Sequence, residues 1–179
     1  MAVISHKSVI SPVLVGRQHE AEELETLLAQ SCQGHGQLAL LIGEAGIGKS
    51  RLAAEIKARA HALACWTLAG HCDEPAQLIP YAPLWELLND LDKDPTGVDL
   101  SARFGAAVPM IAKFFPQLNL SISASATAYE PEQEKRLLHH TLTHYLHEIA
   151  AERPLFLLIE DLHWADDATL DFLLYFVRR

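Results

Sequence analysis

Positive charge is scarce in this 179-residue chain: 14 Lys and Arg stand against 23 Asp and Glu, a formal net charge of −9 with His neutral. Affinity for nucleic acid comes mainly from neutralising phosphates, so this balance argues against direct contact with DNA or RNA. No basic cluster offsets it, and Arg178 with Arg179 is too short a pair to serve as one. Cysteine is scarce as well. Cys32, Cys65 and Cys72 are odd in number and unpatterned in spacing, which reads as reduced thiols rather than a disulfide framework. A zinc site built from Cys65, His71 and Cys72 lacks a second chelating pair. Long apolar runs are missing too: none approaches the roughly 20 residues needed to span a bilayer. The opening MAVISHKSVISPVLVGR has neither a long apolar stretch nor a small-residue cleavage site, so no secretion signal is read there. The expectation is a cytosolic chain with no membrane segment and no direct nucleic-acid contact.

What remains is an ordinary globular composition, 50% apolar and 21% charged, in a chain long enough for one domain with a sizeable core. Residues 1–13 read as a poorly ordered, flexible N-terminus, and 14–179 as the folded domain. From Arg17 to about Gln30, Ala21, Leu24, Leu27 and Leu28 recur at helical spacing, and the turn Gln33-Gly34-His35-Gly36 ends that helix. Leu38-Ala39-Leu40-Leu41-Ile42 is a short continuous apolar run, which predicts a strand buried on both faces of a parallel sheet. Helical spacing returns from Ser50 to about Leu63. A second strand is expected at 65–70, a helix at 81–92 with Pro83 in its first turn, and another helix at 101–114. The Ser-, Ala- and Thr-rich stretch 117–131 reads as a long surface loop. A helix over 132–151 precedes a third buried strand, 155–159, which ends in Glu160-Asp161, and Asp166 or Asp167 caps a last helix. Alternating buried strands and helices indicate an α/β domain.

Between the first predicted strand and the helix after it stands Gly43-Glu44-Ala45-Gly46-Ile47-Gly48-Lys49-Ser50, which fits GxxxxGK(S/T) at every required position. The chemistry explains the spacing. Backbone N–H groups must come within hydrogen-bonding distance of phosphate oxygens, and side chains at Gly43, Gly46 or Gly48 would obstruct that approach or the torsions it needs. The helix beginning near Lys49 turns its N-terminal N–H groups and dipole toward the same anion. Lys49 extends over the β- and γ-phosphates, and the Ser50 hydroxyl is suited to a Mg²⁺ ion. A random chain of this length would match the bare pattern roughly once in two hundred trials, and the flanking strand and helix are separate requirements.

A nucleotide-bound Mg²⁺ takes oxygen ligands and keeps several waters, so the site calls for a carboxylate. Glu160 and Asp161 stand at the carboxyl end of an apolar strand, where open α/β sheets bind ligands. One of them would hold the Mg²⁺ water shell and the other would polarise an attacking water. Successive strand residues face opposite ways, so the two divide these tasks unless the strand turns there, and spacing leaves open which does which.

With both motifs placed, LVGRQHE (Leu14 to Glu20), LIGEAGIGKSRL (Leu41 to Leu52), GHCDEPAQLIPYAPLWELL and LFLLIEDLHWADDATL (Leu155 to Leu170) together resemble the signal-transduction ATPases with numerous domains, whose module is an origin-recognition-like AAA ATPase domain. Such modules occur in LuxR-type transcription regulators, multidomain nucleotide cyclases and some sensory kinases. The resemblance implies a P-loop NTPase of three αβα layers around a parallel sheet. It implies that Val15, Gly16 and Arg17 lie against an adenine, which favours ATP, and that Gly43 through Arg51 form the phosphate site. Glu160 and Asp161 match the Mg²⁺ and water-activating pair, and His163, Trp164 and Asp166 match a short HWAD signature. Relatives continue past this point with two more core strands and a lid, so the chain reads as a partial domain, a piece of a larger signalling protein with attached effector domains.

Two weaker patterns complete the reading. His140, His144 and His147 share one face of the 132–151 helix, which allows metal chelation in principle but lacks the glutamate of HExxH. For Asp166 a helix cap and for Trp164 a packing role stand beside the signature. The expected function is a Mg-ATP-binding regulatory module. The alternatives are a self-sufficient ATP hydrolase and an interaction piece that binds no nucleotide.

Overall fold

The computed structural model describes residues 16–92, 99–121 and 129–179. The lead-in 1–13, and residues 122–128 of the predicted loop at 117–131, lie outside the described residues. The chain forms two compact units, Met1–Ile56 and Lys57–Arg179.

In the first unit, helix α1 (Gln18–Cys32) follows the predicted apolar spacing and buries Ala21 and Leu28. Glu20 sits in its first turn, where a negative charge favours the helix dipole. Residues 35–44 are irregular, and this overturns the expected strand at 38–42. Leu38, Leu40 and Ile42 are 66%, 63% and 84% exposed. An apolar run becomes a strand only when neighbours satisfy its N–H and C=O groups, and among the described residues only two other segments are ladder-bonded. Helix α2 (Lys49–Ala62) begins where the motif predicts and carries buried Leu52, Ala53 and Ile56.

The second unit is built on two parallel strands, β1 (Trp66–His71) and β2 (Leu155–Glu160), in register from Trp66↔Leu155 to His71↔Glu160. Parallel pairing requires a crossover, and helices supply it. Helix α3 (Ala82–Asp92) lies on β1, and Gly70 makes the contact possible: a Cβ there would come 2.4 Å from the Pro83 carbonyl oxygen. The single helix expected at 101–114 is instead α4 (Leu100–Phe104), a 3₁₀ turn (Gly105–Ala107) and α5 (Val108–Phe114). Gly105 adopts φ +49 and interrupts the run, while the Asp99 carboxylate caps α4 by accepting the Ala102 N–H at 3.1 Å.

Helix α6 (Pro131–Glu152) opens with Pro131 at its first position and Glu132 and Glu134 in its first turn, both favourable at a helix start. Its buried side presents Leu138, Leu142, Tyr145, Leu146 and Ile149 to a core that includes Leu91, Leu100, Ile111 and Phe115. Helix α7 (Asp167–Val177) adds Phe172, 1% exposed. β1 alternates buried and half-buried positions, whereas β2 is half-buried along its whole length rather than fully buried as its composition suggests. A strand face is covered only where another layer lies over it, and among the described residues the sheet has two strands. The architecture is mixed helix and strand with a small parallel sheet. No described helix is long and apolar enough to cross a membrane.

Candidate functional site

The residues singled out from sequence fall into two groups, one in each unit. Of the adenine-side segment, Val15 lies outside the described residues, Gly16 adopts φ +78, and Arg17 precedes α1. The Arg17 guanidinium pairs with Glu20 at 2.5 Å and reaches the Ile47 carbonyl at a long 3.4 Å, tying the start of α1 to the loop. Glu20 is held below its ordinary carboxylate value, first by a backbone N–H and then by Arg17.

The loop itself turns on Gly46 (φ +78) and Gly48 (φ +97), left-handed torsions that cost other residues about 1–2 kcal/mol. Nothing lies within 4 Å of where a Cβ would stand at either, so the space beside the backbone is open. At Gly43 a Cβ would approach Ile47 Cγ2 at 3.3 Å. The Lys49 ammonium folds back over the loop and donates to the Gly43 and Glu44 carbonyls, each at 2.9 Å. The first helical bond of α2 runs from the Leu52 N–H to the Gly48 carbonyl, so the amides of Lys49, Ser50 and Arg51 precede the helical ladder. Beside the loop, between α1 and residues 39–42, lies a cavity of about 390 Å³ lined in part by Arg17, Leu24, Leu27, Leu40 and Leu52. A cationic side chain, left-handed glycines and the free amides of a helix start form a donor set suited to phosphate oxygens.

In the second unit, Glu160 is the last residue of β2, and Asp161 leaves the strand in the left-handed region at φ 55, ψ 43. The strand therefore turns between them, so simple strand alternation does not describe the two side chains. A 3₁₀ turn (Leu162–Trp164) follows, and the Trp164 N–H bonds back to the Asp161 carbonyl at 2.9 Å. His163 and Trp164 rings lie 5.2 Å apart, consistent with packing. Asp166 caps α7: one oxygen accepts the Thr169 N–H at 3.0 Å, and the other accepts the Thr169 hydroxyl and the Tyr81 N–H, the last at 3.2 Å.

That last bond exposes what sequence reasoning missed. Tyr81 holds φ 63, unusual for an aromatic residue, and is 2% exposed. Its hydroxyl lies 3.0 Å from His139 Nε2. His139 is buried among Tyr81, Phe172 and Tyr175, and its pKa is lowered, chiefly by burial and then by Lys135. Its place on the stripe of Leu138, Leu142 and Leu146 was the available signal. Tyr81 carried none, because a positive φ on a bulky residue is imposed by tertiary contacts. Burial, with Asp166 second, pushes its phenol up to about 12.

Of the weaker patterns, His144 faces Glu148 at 3.6 Å and His147 packs against Phe176, and among the described residues no three or more His, Cys, Asp or Glu side chains cluster as they would around a metal ion. None of the three cysteines forms a disulfide; Cys65 and Cys72 are buried and Cys32 is exposed. Burial, reinforced by Asp166 and Glu86, raises Cys72 to about 11, so it stays an unreactive thiol near neutrality.

An uncharacterised protein of Rhizobium meliloti (strain 1021) is 28% identical over 176 residues, which take in 89% of this chain and 16% of that protein. The chain thus spans a small part of the relative's length. No solved structure matches it. The description of the AAA ATPase domain, a nucleotide-binding family, matches residues 13–179, in which both the phosphate loop and the acidic strand end fall, and the chain belongs to that family.

Proposed function

We propose that the chain is a Mg-ATP-binding regulatory module of the P-loop NTPase type, with three αβα layers when its sheet is complete, serving a larger signalling protein whose attached domains respond to nucleotide state. The observation that carries this reading is the folded GxxxxGKS segment, with Gly46 and Gly48 left-handed and Lys49 drawn over the loop at the start of α2. The loop amides, Lys49, and Ser50 and Arg51 in the first turn of α2 bind the phosphates. Val15, Gly16 and Arg17 are assigned to the adenine side by their family pattern. Ser50 and the Glu160–Asp161 pair are assigned to Mg²⁺, which would supply charge neutralisation for the β- and γ-phosphate oxygens. Glu160 or Asp161 would orient a water if hydrolysis occurs. The match to 16% of a much longer relative supports a module within a multidomain protein.

Calorimetric titration of Mg-ATP into the wild-type chain and into Lys49→Ala tests the reading. Lys49 contributes charge-assisted hydrogen bonds worth about 1.5–3 kcal/mol, so the variant should bind roughly 10- to 100-fold more weakly. Equal affinity in the two proteins overturns it.

A further inference from the structure

We infer that Arg17 is a positioning residue for the phosphate loop, holding the Ile47–Gly48 peptide so that its N–H is presented to phosphate oxygens; the inference rests on the Mg-ATP reading above and deepens it.

Every group involved lies in the first unit. Arg17 stands at the start of α1, where its carbonyl accepts the Ala21 N–H at 3.0 Å, so the helix fixes its backbone. Both branches of its guanidinium are engaged. Nη1 pairs with Glu20 at 2.5 Å, and Nη2 donates to the Ile47 carbonyl at 3.4 Å. Glu20 lies three residues on, along the same helix face, and so anchors one branch while the other reaches the loop. Arg17, Glu20, Ile47, Gly48 and Lys49 line one cavity.

The Ile47 carbonyl matters because of the amide bonded to it. A peptide group is planar and trans, so its C=O and N–H point to opposite sides. With the Ile47 carbonyl turned to Arg17, the Gly48 N–H faces away from Arg17. Packing does little to keep it so: Ile47 is 46% exposed, and nothing lies within 4 Å of a Cβ built at Gly46 or Gly48. Gly48, at φ +97, tolerates either sign of φ, so this peptide can flip at little steric cost. A flip would put a carbonyl oxygen where an anion needs a donor. Lys49 does not prevent it. Its ammonium holds the Gly43 and Glu44 carbonyls instead, and it gives those up on turning to a phosphate. Arg17 holds the loop from α1. The family pattern puts Arg17 beside an adenine, whereas this contact gives it a role that a ligand without any base also depends on.

The full chain is titrated with inorganic tripolyphosphate and with ATP, both with Mg²⁺, as wild type, Arg17→Ala, Arg17→Lys and Glu20→Ala. A single long hydrogen bond sits at the lower end of charge-assisted bonds, so Arg17→Ala should weaken tripolyphosphate binding roughly 3- to 10-fold. ATP binding should weaken at least as much. Arg17→Lys keeps the charge without the fork, cannot hold Glu20 and Ile47 together, and should recover little of the loss. Glu20→Ala discriminates most sharply. Removing a negative charge near an anion site strengthens binding by charge alone, whereas losing the anchor of the fork should weaken it about twofold or more. Should Arg17→Ala fail to fold, Glu20→Ala and Arg17→Lys decide by the same criteria. Tripolyphosphate binding by Glu20→Ala as tight as wild type or tighter, full recovery in Arg17→Lys, or a loss in Arg17→Ala confined to ATP overturns the inference. Wild type that binds ATP and not tripolyphosphate overturns it too, since the loop would then not be preset for phosphate. Absence of binding of either ligand by wild type overturns the Mg-ATP reading instead, and this inference with it.

Discussion

The unit holding the phosphate loop and the unit holding the acidic strand end are organised in different ways. In the first, the chemistry is local: Gly43 to Ser50 carry the glycine torsions, the lysine and the helix start within eight consecutive residues, and little burial supports them beyond Ala21, Leu28, Leu52, Ala53 and Ile56. In the second, each functional group is placed by distant contacts. Asp166 reaches back to Tyr81, Tyr81 to His139, and Glu86 to His71, all over one hydrophobic cluster running from Trp66 to Phe172. A short motif can preorganise an anion site, whereas the position of a carboxylate at a strand end depends on the core beneath it.

That contrast can be broken by mutation. The three tryptophans, Trp66, Trp85 and Trp164, all lie in the second unit, so their fluorescence follows its unfolding. Phe172→Ala should cost about 3–5 kcal/mol in urea unfolding followed this way, because Phe172 is 1% exposed within the cluster. Leu40→Ala, removing a side chain 63% exposed in the first unit, should change stability by less than about 0.5 kcal/mol when unfolding is followed by far-UV circular dichroism, which reports α1 and α2 as well. A large loss from Leu40→Ala would mean the first unit depends on tertiary burial as much as the second. Next in size is Asp166→Ala, which removes the cap of α7 and the acceptor for the Tyr81 N–H and should cost about 1–3 kcal/mol by the fluorescence measurement. Asp166→Asn, which still accepts through its carbonyl, should cost less; an equal cost would show that charge rather than hydrogen bonding holds the link.

The smallest effect is a pH dependence. Burial lowers the pKa of His139, assisted by the positive charge of Lys135 and opposed by Asp171. The folded state therefore takes up this proton less readily than the unfolded chain, whose histidines titrate near 6.5. The stability attached to a neutral His139 is complete above that value and declines as pH falls through it, levelling off once the folded-state histidine also protonates. His139→Gln keeps a partner for the Tyr81 hydroxyl without the titration. Its unfolding free energy should vary less than wild type between about pH 7.5 and pH 5. Identical slopes in the two proteins would remove His139 from the account.

Legibility followed the same division. The helices α1, α2, α3 and α6 were readable because apolar residues recur along one face, and the phosphate loop because its residue types are tied to local torsions. Strands β1 and β2 were readable from their apolar content. The identical pattern at Leu38–Ile42 misled, because a ladder needs a partner and the described residues provide none there. The break at Gly105 was visible in sequence only as a glycine that a helix can also accommodate. His139 stood among four histidines on one helix, and the buried one lies off the face shared by the other three.

By itself, then, the order of residues specified the GxxxxGKS loop, the helical faces and the family, because each depends on neighbours within a few positions. Only the tertiary structure decided that Asp161 turns out of the strand opposite His71, that Asp166 holds Tyr81 as well as α7, and that His139 is buried against a tyrosine hydroxyl. Those outcomes depend on which distant segments share a core. Packing and hydrogen-bond satisfaction choose between arrangements that local preference leaves equal.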